Sequence, residues 1–158
     1  MHPDLSRRAA LGQLAGVVVA AVAWIRPARA QSPTRIVVYK SPTCGCCQKW
    51  IDHMNASGFA ASVTDLADMN PIKAQHGIPP QLQSCHTTLV GGYVIEGHVP
   101  ASDVKKLLAD KPKGIVGLTI PGMPASAPGM DQTPFQPYDV LTFDVRGNTT
   151  VYARHTKG

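Results

Sequence analysis

The chain is poor in charge and in aromatic side chains: 16% of its 158 residues are charged and 6% are aromatic. Its basic residues do not gather into the clustered face of a nucleic-acid binder. No Ser/His/Asp set or carboxylate pair points to hydrolysis, and no phosphate-binding glycine loop, internal repeat or low-complexity tract is present. An uninterrupted membrane span is missing too. The apolar stretch from Ala9 to Ile25 is broken by Gly12, Gln13 and Gly16, and is short against the roughly 20 residues that cross a bilayer. Cysteine is scarce, four residues in all, yet three of them stand in Cys44-Gly45-Cys46-Cys47. That concentration is the clearest chemical commitment in the chain.

The first thirty residues read as an export signal. Arg7-Arg8 directly precedes the apolar run, and Ala28-Arg29-Ala30 offers small residues two apart, as a signal peptidase requires. The arginine pair suggests the twin-arginine route. We expect residues 1–30 to be removed near Ala30/Gln31 and residues 31–158 to form one periplasmic domain with no stable membrane span. The cut leaves eleven Lys/Arg against nine Asp/Glu, a net charge of +2 in place of +5. Much of the basic character therefore belongs to the signal, and no nucleic-acid partner is expected.

Punctuation organises the rest. Arg35–Tyr39 reads as a buried strand, Ser41-Pro42-Thr43 as the turn out of it, and Gln48–Ser57 as a helix stopped by Gly58. Phe59–Thr64 is a second strand. Asn70 is placed to cap a short helix with Pro71 at its first position, ending at His76 before Gly77. Thr87–Val90 and Tyr93–Glu96 flank Gly91-Gly92, a tight hairpin, and Ser102 is placed to cap a helix over Asp103–Ala109. This is a thioredoxin-like α/β order, followed by a Met/Pro/Gly-rich loop and a C-terminal β-hairpin. Val37 to Cys44, followed by Cys47, resembles the first strand and redox turn of a glutaredoxin. By that likeness His86 stands where such folds place a proline, and Cys85 is brought over the Cys44/Cys46/Cys47 turn.

Three clustered thiols and a fourth supplied by the fold are soft donors that favour Cu(I) over hard cations. Structural zinc sites space their thiols as separated pairs, and Cys-x-Cys-Cys is too cramped for that. Adjacent thiols instead suit bridging between several metal ions. A strand-to-helix turn also lowers thiol pKa, because the free N–H groups of the helix start stabilise the thiolate. In an oxidising compartment two disulfides, such as Cys44–Cys47 and Cys46–Cys85, are the alternative. Met123 and Met130 are candidate secondary Cu(I) ligands in a loop whose Pro121, Pro124 and Pro128 forbid a helix; otherwise they are hydrophobic cover. His86 is the first histidine candidate, beside Cys85, and His98 the second. Met54 reads as core, His53 as surface, His76 as part of a helix end, and His155 as tail.

Cys44-x-Cys46-Cys47, Ser84-Cys85-His86-Thr87, Glu96-Gly97-His98-Val99-Pro100, Gly117-Leu118, Pro121-Gly122-Met123-Pro124 and Pro128-Gly129-Met130 occur in this order. The series resembles the CopG-like periplasmic copper-binding family, over roughly residues 34–155. The resemblance implies a thioredoxin-like fold, Cu(I) held by the cysteines, and a part in copper tolerance; copper ions and other periplasmic copper-handling proteins are the expected partners. Two classes of function stay open. One is a copper-binding protein that sequesters or hands on Cu(I); the other is a thiol–disulfide or copper-dependent oxidoreductase using Cys44 and Cys47.

Overall fold

A computed structural model describes residues 32–157; the expected export signal and its cleavage point lie outside them. Strand β1 (Thr34–Lys40) leads through a short turn into helix α1 (Gly45–Ala56), and β2 (Phe59–Asp65) follows. Helix α2 (Asn70–Gln75) and a 3₁₀ turn over Pro80–Leu82 precede the pair β3 (His86–Val90) and β4 (Tyr93–Glu96). Helix α3 (Ala101–Asp110), β5 (Gly117–Thr119), β6 (Tyr138–Phe143) and β7 (Thr149–His155) complete the chain. The fold is mixed α/β: seven strands form one sheet in the order β2-β1-β3-β4-β5-β6-β7. The pairs β1–β2 and β4–β5 are parallel and the others antiparallel. Among the described residues no helix is long and apolar enough to cross a membrane.

Alternation along the strands divides the apolar residues between two cores. Ile36, Val38, Ile95, Leu118 and Val140 pack with Trp50, Ile51 and Met54 of α1 and with Val104 and Leu107 of α3. Val94 and Phe143 pack instead with Ile78 and Leu82 of the segment after α2. Met54 is core, as its spacing predicts. At the β3–β4 turn Gly91 and Gly92 have φ of 56° and 86°, the left-handed pair that a two-residue hairpin needs and that side chains resist.

Three helix starts differ from expectation. Helix α1 begins at Gly45, not Gln48, with Cys44 as its cap residue, so Cys46 and Cys47 lie in the first turn. Met69 caps α2, Asn70 is its first residue, and the Asp68 carboxylate accepts the Asn70 N–H at 2.9 Å. Pro100 caps α3, and Ser102 is already helical. In the last case the fixed φ of proline starts the helix without a side-chain bond.

Candidate metal centre

Strand register explains why distant residues meet. Strand β1 ends at Lys40, which faces His86 at the start of antiparallel β3. Strand β4 ends at Glu96, which faces Thr87 on one side and Thr119 of parallel β5 on the other. The turn before α1, the approach to β3 and the segments leaving β4 and β5 thus emerge at one end of the sheet. Open α/β sheets place ligand sites at the carboxyl ends of their parallel strands, and four of the converging strand ends here belong to β1, β2, β4 and β5.

The four cysteine sulfurs lie there within 4.8 Å of one another. Cys44 and Cys47 are joined as a disulfide, whereas Cys46 and Cys85 are free thiols. The Cys46 sulfur is 3.5 Å from that of Cys44. Of the two bridges expected as an alternative, only Cys44–Cys47 is formed. Burial, with the neighbouring Cys46 adding to it, pushes the Cys85 thiol up to about 12, so Cys85 carries its proton.

Two histidines receive that thiol. The Cys85 sulfur is 2.9 Å from His98 Nε2 and 3.3 Å from His86 Nδ1. His98 Nδ1 lies 2.7 Å from the Pro128 carbonyl, which can only accept. The His98 proton is therefore assigned to Nδ1, and Nε2 keeps its lone pair toward Cys85. Burial holds His98 below the ordinary histidine value, against the pull of the Pro128 carbonyl and Asp131. His86, fully buried against Trp50 at 4.4 Å between ring centroids, is held well below it by burial, with His98 and Lys73 adding to the effect. Because the Cys85 proton goes to His98, His86 Nδ1–H points at the sulfur. His86 Nε2 is then a buried acceptor with no partner. The neutral His98 imidazole, with its Nε2 lone pair facing a thiol, suits a soft cation, and His86 can offer Nδ1 as a second donor once its proton moves to the unpartnered Nε2.

The site thus holds two groups of possible metal ligands, Cys44/Cys46/Cys47/Cys85 and Cys85/His86/His98, with Cys85 common to both. Reducing the disulfide would free the two remaining sulfurs of the first group. Behind Cys85 lies a buried ion pair between Lys73 of α2 and Glu96 of β4. The Ser84 N–H donates to Glu96 Oε1 at 2.6 Å, and the Thr87 hydroxyl donates to Oε2 at 2.7 Å. Burial pushes the Glu96 carboxyl upward, and Lys73, Ser84 and Thr87 draw it back.

The loop over residues 121–131 reaches the site through its backbone. A β-carbon at Gly129 would lie 2.7 Å from the Trp50 nitrogen and 2.9 Å from the Cys46 carbonyl, so this contact with α1 needs glycine. Met130 follows, partly buried; Met123 is 44% exposed in left-handed backbone. His53, expected at the surface, is half-buried and its Nε2 accepts the Ala101 N–H at 3.2 Å. His76 is the cap residue of α2, and His155 bonds Asp103 at 2.8 Å. His98, the second histidine candidate, lies closer to Cys85 than His86 does. Its signal was legible: continuing the Gly91-Gly92 hairpin two residues past the Thr87–Glu96 pair sets Cys85 opposite His98. The Lys73–Glu96 pair had no comparable signal.

Residues 82–130 match a family described as "Protein of unknown function, DUF411". No curated protein sequence matches. Two solved structures do. "Copper resistance protein copG- Form 1" is 38% identical, with a TM-score of 0.73, over 80% of this chain and 99% of that one. "Copper resistance protein copG- Form 2" is 39% identical, with a TM-score of 0.72, over 78% and 98%. With that identity carried across nearly the whole length of both structures, the chain belongs to the CopG family of copper resistance proteins.

Proposed function

We propose that this chain is an exported, periplasmic copper-handling protein. Its thioredoxin-like core, supported by the β2-β1-β3-β4 order and the Cys-bearing turn before α1, holds Cu(I) on the thiolates of Cys44, Cys46, Cys47 and Cys85. His98 and His86 complete the ligand set, and Met123 and Met130 of the overlying loop are secondary soft donors. The observation that carries this reading is that Cys85 belongs to both ligand groups. A thiolate common to two groups can bridge metal ions, so the site suits several coppers rather than one. Other periplasmic copper-handling proteins are the proposed partners.

Copper here is cargo, and the protein's own residues govern its capture. A disulfide sulfur is no thiolate, so Cys44–Cys47 must first be reduced to two thiols by an external dithiol, which gives up two electrons and two protons and leaves as its own disulfide. Metal then displaces thiol protons as it binds. His98 Nε2 provides a neutral donor that needs no deprotonation, and His86 provides its Nδ1 when the ring proton shifts to the unpartnered Nε2. A second reading, a thiol–disulfide oxidoreductase using Cys44/Cys47, is favoured by the disulfide itself.

Anaerobic titration of residues 31–158 with Cu(I), in disulfide-reduced and disulfide-oxidised forms, tests the proposal. The reduced form should bind several coppers and the oxidised form fewer. Zinc out-competing copper, or equal loading of the two forms, would leave the oxidoreductase reading in its place.

A further inference from the structure

The Lys73–Glu96 pair poses a problem of its own. Both side chains are at least nine-tenths buried, and an ion pair so placed loses more hydration than its attraction readily returns. Packed apolar residues of the same volume would stabilise a fold about as well. What the pair does that apolar residues cannot is offer oxygen acceptors at a fixed place. Glu96 takes the Ser84 N–H on one oxygen and the Thr87 hydroxyl on the other, and Lys73 bonds both Glu96 and Thr87. Ser84 and Thr87 bracket Cys85-His86. Two further bonds fasten the same stretch: the Gly97 N–H to the His86 carbonyl at 2.9 Å and the Thr119 hydroxyl to the Leu82 carbonyl at 2.7 Å. Outside the strand this stretch has no regular structure to hold it, so its shape rests on these contacts.

We propose that Lys73 and Glu96 are positioning residues that hold Cys85 and His86 in ligand geometry. Thr87 and Glu96 share the sheet face with α2, as their bonds to Lys73 require, whereas His86 packs on Trp50 of α1. The grip therefore comes from the side of the sheet away from α1, leaving the sulfur and imidazole free for metal. Outer contacts of this kind orient metal ligands, and losing them typically weakens metal affinity about 10- to 100-fold.

The copper arm of the test rests on the function proposed above; a metal-free arm does not. The variants are the double substitution Lys73→Met/Glu96→Leu, which keeps the volume apolar, and Thr87→Val, which removes one hydroxyl without changing shape. In metal-free, disulfide-oxidised protein, iodoacetamide should alkylate Cys85 about tenfold faster in the double variant, because the stretch opens more readily. Thr87→Val should move the rate the same way by less. Cu(I) affinity of the reduced double variant, read by competition with a chromophoric chelator at a temperature where circular dichroism shows it folded, should fall about 10- to 100-fold; the Ser84 N–H and Thr87 hydroxyl left without Glu96 lower its melting temperature. Cys85 alkylation at the parent rate in both variants would overturn the proposal. A parent that binds no Cu(I) but shows the faster alkylation in its variants would support positioning and sink the copper reading instead.

Discussion

His98 makes two contacts on opposite sides of its ring, and together they decide its chemistry. The Pro128 carbonyl takes the Nδ1 proton, and the Cys85 thiol faces Nε2. In metal-free protein Cys85 S–H is thus held by a neutral base and raised in pKa by burial. We expect Cys85 to resist iodoacetamide at pH 8, where an ordinary cysteine reacts readily; peptide mass mapping of the alkylated protein checks this, and rapid labelling of Cys85 would refute it. Cys46 acts differently. As the free thiol in the first turn of α1, 3.5 Å from the Cys44 sulfur, it is placed to bridge. Cys46→Ser should lower the number of coppers bound, since oxygen is a poor Cu(I) donor. Metal analysis of the loaded protein gives the answer, and unchanged stoichiometry would remove Cys46 from the site.

At the scale of elements, the loop 121–131 is the one that closes over the centre. Gly129 allows its backbone to lie on α1, and one residue earlier Pro128 fixes the His98 proton. Gly129→Ala should push this loop off α1 and weaken Cu(I) binding about 10- to 100-fold through the lost orientation of His98. Met123→Leu should change affinity much less, because leucine keeps the apolar bulk of this partly exposed side chain and removes only a weak donor. A chelator competition on the two variants should separate them clearly; a Met123→Leu loss as large as the Gly129→Ala loss would make Met123 a principal ligand. The legible elements were those set by local signals, such as β1, β2 and the hairpin with its Gly91-Gly92 turn. The start of α1 was not, because Cys44 caps it without a side-chain bond. Strand β5 spans three residues and exists through pairing with β4 and β6, which no local pattern announces. The cysteine cluster could be read because three of its members are neighbours in sequence. Lys73 and Glu96 could not, being 23 residues apart and joined only by the packing of α2 on the sheet.

Over the whole molecule, burial of neutral histidines ties stability to pH. His53 accepts the first N–H of α3 and so couples α1 to the start of another helix. A protonated imidazole has no lone pair for that bond and would place positive charge at the positive end of the α3 dipole. Burial holds His53 below its ordinary value of 6.5, with Asp131 pulling the other way. With its folded pKa depressed, His53 stays neutral in the folded chain at pH values where the unfolded chain already takes up a proton. Folding stability is then fully present above pH 6.5 and is lost progressively as pH falls toward the folded pKa. His86 and His98, also lowered by burial, act in the same direction. Urea unfolding of the metal-free protein should therefore show a midpoint that drops between pH 7.5 and 5.5. His53→Gln, whose side-chain carbonyl can still accept the Ala101 N–H but does not titrate, should reduce that drop without abolishing it. A midpoint that rises on acidification, or a variant with the parent's full pH dependence, would show that His53 is not held neutral against α3.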